Sequence, residues 1–136
     1  MKNKKLVICL TVLTVLLCGC TEQPSVPRSP YISTIEVTPS FVKTGSDFNI
    51  NYIITNPLSV AFQGKVSYKS SSNCFYNQPS DTSVSVSANG QMPYQYVARL
   101  GTYSSKCTGT QLITLTLMDV DGKLTDLKTV NVNVVN

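Results

Sequence analysis

The chain has 136 residues, 42% apolar and 13% charged, with a formal charge of +4, five cysteines, and neither histidine nor tryptophan. That length suits one ordinary domain with short additions. Without an imidazole, Ser-His-Asp and Cys-His nucleophile activation and histidine-ligated zinc are excluded, so the expectation is a protein that binds or supports rather than an enzyme.

Lys2, Lys4 and Lys5 precede an apolar run from Leu6 to Leu17. That run falls short of the roughly 20 residues needed to cross a bilayer core, and it fits the apolar region of an export signal. It ends in Leu16-Leu17-Cys18-Gly19-Cys20, after which the sequence turns polar. The segment resembles the signal peptide and lipobox of prokaryotic lipoproteins. Leu17, Gly19 and Cys20 occupy the positions of the box, and Cys18 stands where Ala, Ser or Thr is usual. The resemblance implies a signal peptide over residues 1–19 and a diacylglyceryl and acyl (palmitate-type) lipid on Cys20. It also implies a mature protein on the outer face of a membrane. Two or more acyl chains hold durably where one does not. Thr21, rather than aspartate, follows the cysteine; in a two-membrane bacterium this favours the outer membrane.

Residues 20–30 combine the lipidated cysteine with a linker. Pro24, Pro27 and Pro30 and the lack of apolar periodicity favour an extended tether, with a reach of roughly 30 Å at about 3.1 Å per residue.

From residue 31 to residue 136 the pattern has period two. Phe48, Ile50, Tyr52 and Ile54 alternate with Asn49, Asn51 and Ile53; Ile113, Leu115 and Leu117 alternate with threonines; Val130, Val132 and Val134 alternate with asparagines. Val66 with Tyr68 and Val84 with Val86 repeat the pattern. Such alternation of β-branched and aromatic residues predicts half-buried antiparallel strands. Turn signals separate the runs at Gly45, Asn56-Pro57, Asn89-Gly90, Gly101 and Asp121-Gly122. The expected strands are 32–38, 47–55, 60–68, 82–88, 92–99, 111–119 and 125–135, with Phe41–Lys43 continuing the first strand past Pro39. Seven strands in this span predict an all-β, two-sheet sandwich. Tyr94 and Tyr96, on one strand face with Met92 and Ala98, are expected in the core.

The stretch Ile35-Glu-Val-Thr-Pro-Ser-Phe-Val-Lys-Thr-Gly45 and the strand to Asn56-Pro57 resemble the opening of CARDB-type immunoglobulin-like domains of prokaryotic surface proteins. Leu112 to Gly122 and Thr129 to Val135 resemble the last hairpin of PKD-type modules, although the Trp-Asp-Phe-Gly-Asp-Gly-like signature of PKD domains is absent. Together these resemblances imply an immunoglobulin-like β-sandwich.

With Cys9 and Cys18 in the signal peptide and Cys20 lipidated, Cys74 and Cys107 remain as an even pair. In an exported domain such a pair most simply forms a disulfide; the alternative is a bridge to another envelope protein. The flanking segments are rich in Ser, Asn and Gly and contain Phe75, Tyr76 and Tyr103, with Lys69 and Lys106 beside them. This is the chemistry of recognition loops, in which stiff aromatics supply area and short polar groups supply hydrogen bonds. The competing interpretation has Phe75 and Tyr76 merely covering one open end of the sandwich.

Asp119, Asp121 and Asp126 lack calcium-loop spacing and suit a hairpin turn, so no metal and no cofactor beyond the lipid is expected. Losing Lys2, Lys4 and Lys5 leaves eight Lys/Arg against seven Asp/Glu, a balance of +1, which gives no attraction for nucleic acid. The expected partners are the membrane, through the lipid anchor, and an envelope protein or a glycan. The functional expectation is a lipid-anchored, extracytoplasmic, non-catalytic binding or structural module. Two alternatives are a small subunit of a secretion, conjugation or pilus complex, and a glycan-binding or hydrolase-inhibiting accessory domain.

Overall fold

The structure, a computed structural model, describes residues 27–75, 81–101 and 107–136; the expected signal peptide and Cys20 lie outside them. The described chain is a two-sheet sandwich of eight strands. They are β1 (Tyr31–Thr38), β2 (Phe41–Lys43), β3 (Asp47–Thr55), β4 (Phe62–Ser70), β5 (Thr82–Val86), β6 (Gln91–Arg99), β7 (Gly109–Asp119) and β8 (Leu124–Val135). One sheet has the order β1-β3-β6 and the other β2-β8-β7-β4-β5. The architecture is that of an immunoglobulin-like β-sandwich.

The alternation read from the sequence sets which side chains face inward. Phe48, Ile50, Tyr52 and Ile54 of β3 oppose Val66, Leu115, Leu117 and Val132 of the other sheet in one buried cluster. Asn49 and Asn51 of β3, Thr114 of β7 and Asn131 of β8 take the outer positions. A one-residue slip of any of these strands would expose its whole apolar set.

Phe41–Lys43 does not continue β1. It is a separate strand of the five-stranded sheet, pairing in parallel with β8 so that Val42 lies beside Val134. Pro39 has no N–H for a ladder, so β1 ends at Thr38 and the chain changes sheets. Val42 is then fully buried on the opposite layer. Eight strands replace the expected seven for this reason.

Pro93 lies inside a nine-residue strand, where a proline ordinarily removes a ladder bond. Asn56 N donates to Gly90 O at one end of the β3–β6 pair, and Leu100 N donates to Ser46 O at the other. The register between them places the hydrogen-bonded rungs at Tyr52↔Tyr94 and Ile54↔Met92. Ile53↔Pro93 is therefore a non-bonded rung, and the proline nitrogen faces the free edge of the sheet, where it has no ladder partner to lose.

Four tyrosines hold the layers together. The Tyr52 and Tyr68 hydroxyls are 2.7 Å apart and buried, the Tyr52 and Tyr94 rings stack at 5.7 Å, and Tyr68 and Tyr96 approach to 4.5 Å. The Tyr94 hydroxyl donates to Ser85 O and accepts from Ser85 N, which ties β6 to β5 across the sheets. Tyr94 and Tyr96 pack half-buried against the core as expected, whereas Met92 is exposed at the strand edge.

Burial, and then the hydrogen bond with Tyr68, pushes the Tyr52 phenol far above its ordinary range. Tyr96 is raised by burial and by Tyr68. Once the pH passes the ordinary phenol value of about 10, the unfolded chain releases protons that the folded chain keeps. Stability is thus fully present below that value and falls above it, more steeply for buried Tyr52 than for half-buried Tyr96. Urea midpoints between pH 9 and 11 should fall accordingly. The slope should lessen in Tyr96→Phe, and an unchanged slope would show that Tyr96 titrates alike in both states.

Candidate functional site

Strand directions sort the loops into two groups. β1 starts at Tyr31 opposite Thr55, the last residue of β3, so the chain enters the sandwich at the end carrying the 56–61 connection, the Asn89-Gly90 turn and the Asp121-Gly122 turn. The opposite end holds the Gly45 turn, the exit of β4 and the start of β7. The two cysteines lie there.

Cys74 and Cys107 form the expected intramolecular disulfide, with an S–S distance of 2.04 Å and Cα atoms 5.5 Å apart. The segment after β4 is fixed before it reaches the bridge. Ser71 N donates to Leu112 O and Leu112 N to Ser71 Oγ. Ser72 Oγ donates to Gln111 Oε1, while Gln111 Nε2 donates to Cys107 O. Buried Gln111 thus joins both arms of the bridge. Gly101 N donates to Cys74 O at 2.8 Å, and Phe75 forms an isolated bridge with Leu100. The bridge therefore locks β4 to β7 within one sheet, and its neighbour Phe75 locks that sheet to β6 of the other.

Of the predicted recognition residues, Phe75 is corrected. It is only 8% exposed, and its ring lies 5.7 Å from that of Phe48, so it closes the end of the core and offers no surface to a partner. Lys69 is exposed on the outer face of the five-stranded sheet, opposite Thr114. Tyr76, Tyr103 and Lys106 lie outside the described residues. A pre-ordered frame for two loops is thus in place, with one of its expected anchors turned inward.

The carboxylates do structural work. Asp119 Oδ1 accepts from Asp121 N and Lys123 N, shaping the hairpin turn, and Asp126 Oδ2 accepts from Ile32 N at 2.8 Å, joining β8 to β1. Lys65 and Ser67 hold the Asp81 carboxyl below its ordinary range. Among the described residues no group of three or more Cys, Asp or Glu is placed to hold a metal.

Two features escaped the sequence reading. Asn56, whose dipeptide with Pro57 signals a turn, is fully buried; its Nδ2 donates to Val60 O and Ser87 O, and its Oδ1 accepts from Leu58 N. The second is a shallow groove of 420 Å³ on the outer face of the three-stranded sheet, lined in part by Thr34, Glu36, Asn51, Pro93 and Gln95. The polar residues interleaved with core positions gave no sign of it, because such residues mark any solvated sheet face.

No family model matches the chain, and no curated protein matches it. Solved structures do. The CARDB domain of a Pyrococcus furiosus protein, in complex with di-metal ions, aligns with a TM-score of 0.52 at 13% identity, over 79% of this chain and 86% of that one. The cupredoxin domain of amoB from Nitrosocaldus yellowstonii aligns with a TM-score of 0.55 at 10% identity, over 80% and 88%. A GH2 β-galacturonidase from Eisenbergiella tayi, bound to galacturonate, gives 0.57 at 16% identity, but the 77% of this chain that aligns spans only 19% of the enzyme. At these identities the likeness is one of fold. It agrees with the CARDB-type resemblance and carries no activity across.

Proposed function

We propose that the chain is a lipid-anchored, extracytoplasmic, non-catalytic binding or structural module of the prokaryotic cell envelope. The observation that carries this reading is the disulfide built into the core of the far end. Such bridges form and persist in oxidising compartments outside the cytoplasm, which is where an export signal would send the domain. The similarity to a CARDB domain supports a binding module.

The two ends then divide the work. With Cys20 in a bilayer, the end where Tyr31 enters faces the membrane. The nine residues of β3 carry the disulfide-tied loops about 30 Å farther out, at roughly 3.3 Å per residue. Those loops are the surface for an envelope protein or a glycan.

Cys20→Ser is the test of the anchor. Wild-type protein should fractionate with membranes, incorporate labelled fatty acid and shift in size under globomycin, while the variant does none of these. Equal release of both forms as soluble full-length protein would defeat the reading.

A second reading, a subunit of a larger envelope complex, draws on β6. Its non-bonded rungs leave the backbone groups of Gln95, Val97 and Arg99 on the free edge of the three-stranded sheet, which suits pairing with a partner strand. Crosslinking in the native envelope separates the readings. A stable protein adduct through β6 favours the complex, and recovery of polysaccharide alone favours an accessory domain.

A further inference from the structure

Nine large apolar side chains among the described residues are exposed, and Phe41, Val97, Leu112 and Val135 among them lie away from the end where the chain enters. Val60, Val120, Leu124 and Leu127 are between 51% and 72% exposed; Val60 and Val120 belong to connections at the end where the chain enters, and Leu124 opens β8 there. Gly64 of β4 pairs with Asp119 of β7, so Val60, four residues before Gly64, and Val120, directly after Asp119, emerge past the same rung. Leu124 pairs with Met118 across the same hairpin, and Leu127 pairs with Thr116 on the outer face of that sheet.

We infer that this end seats on the lipid surface, with Val120 and Leu124 of the β7–β8 hairpin and Val60 of the neighbouring connection dipping into the boundary between headgroups and acyl chains. The inference rests on the anchor proposed above. Ten residues lie between Cys20 and Tyr31, so the tether lets this end come against the bilayer and, even fully extended at about 3.6 Å per residue, holds the start of β1 within about 40 Å of the anchored cysteine.

With Cys20 in a bilayer, lipid is the surface that the tether holds nearest to these side chains. Any other partner would have to reach the same side chains in the gap beneath the domain. The charges at this end are nearly balanced: Arg28 and Lys123 stand against Asp119, Asp121 and Asp126, of which Asp119 is engaged in the turn and Asp126 accepts from Ile32 N. Exposed Lys123 can lay its stem along the apolar tip and leave its ammonium among headgroup phosphates. Shallow burial of a few apolar side chains adds to an acyl anchor and fixes orientation, although it would not hold the protein alone.

Because the chain has no tryptophan, one introduced indole reports its own surroundings. Val120→Trp and Phe41→Trp are compared in lipidated full-length protein on vesicles of phosphatidylethanolamine and phosphatidylglycerol. Phe41 is itself 65% exposed but sits on β2, toward the disulfide-tied end. The expected result is that emission from Val120→Trp shifts to the blue on vesicles and is quenched by brominated acyl chains, while Phe41→Trp does neither.

If Val120→Trp stays unquenched although the protein floats with the vesicles, the inference is overturned and the anchor stands. Failure of the protein to float defeats the anchor and the inference together. Emission already blue without vesicles and indifferent to brominated lipid assigns the patch to a second copy or another protein. Equal quenching at both positions means that the domain has no preferred end toward the membrane, which also overturns the inference.

Discussion

Replacing Cys74 and Cys107 together by alanine is expected to lower the unfolding free energy by about 4 kcal/mol, the loop-closure value for about 34 residues. The estimate refers to the unfolded chain, which the bridge keeps from exploring most of its arrangements between β4 and β7. In the folded state the same segment is held by Ser71, Ser72 and Gln111, and those bonds outlast the sulfurs. The variant should therefore keep its fold and lose its margin. Domain stabilities of about 5–15 kcal/mol make that loss a large share of the total. Urea unfolding of wild type, reduced wild type and the double variant provides the measurement. Reduced wild type and the variant should fall together, and a loss below about 1 kcal/mol would mean that the unfolded chain is already constrained there.

The strands are legible because a sheet buried on one face repeats its chemistry every two residues, as β3 and β7 do along their length and β8 does from Val130 to Val134. The pairing of the cysteines is legible for a different reason: with three of the five assigned to the expected leader and lipid, an even pair remains, and an expected exported domain has few uses for it other than a bridge. Phe41–Lys43 was misassigned because three residues carry no usable period. Only the layer on which Val42 is buried decides its sheet, and that is settled by β8, far along the chain. Asn56 was hidden by its own dipeptide, since Asn-Pro signals a turn whether the amide faces water or, as here, gathers the carbonyls of Val60 and Ser87.

Phe75 shows why loop chemistry read from sequence is ambiguous. An aromatic beside a cysteine in a Ser/Asn-rich segment suits a recognition loop and a hydrophobic plug equally well. Local composition cannot separate the two, because the deciding contacts are with Phe48 and Leu100 in other strands. The two roles predict opposite results for the same substitution.

As a plug, Phe75→Ala should cost about 3–5 kcal/mol, the usual loss for emptying a buried phenylalanine site. Phe75→Leu should recover most of it by refilling the space. Any weakening of partner binding would then follow the loss of folded protein and disappear once corrected for it. As a recognition residue, Phe75→Ala would leave the urea midpoint unchanged and weaken binding directly. The 8% exposure of Phe75 and its ring contact with Phe48 predict the first pattern. Because the Phe75 ring packs beside the backbone bridge to Leu100 and the Gly101 N–Cys74 O bond, its loss should also loosen that end. Amide exchange at Leu100 and Gly101 should quicken in Phe75→Ala while the β3 interior stays protected, and equal loss of protection throughout would show that the far end has no local stability of its own.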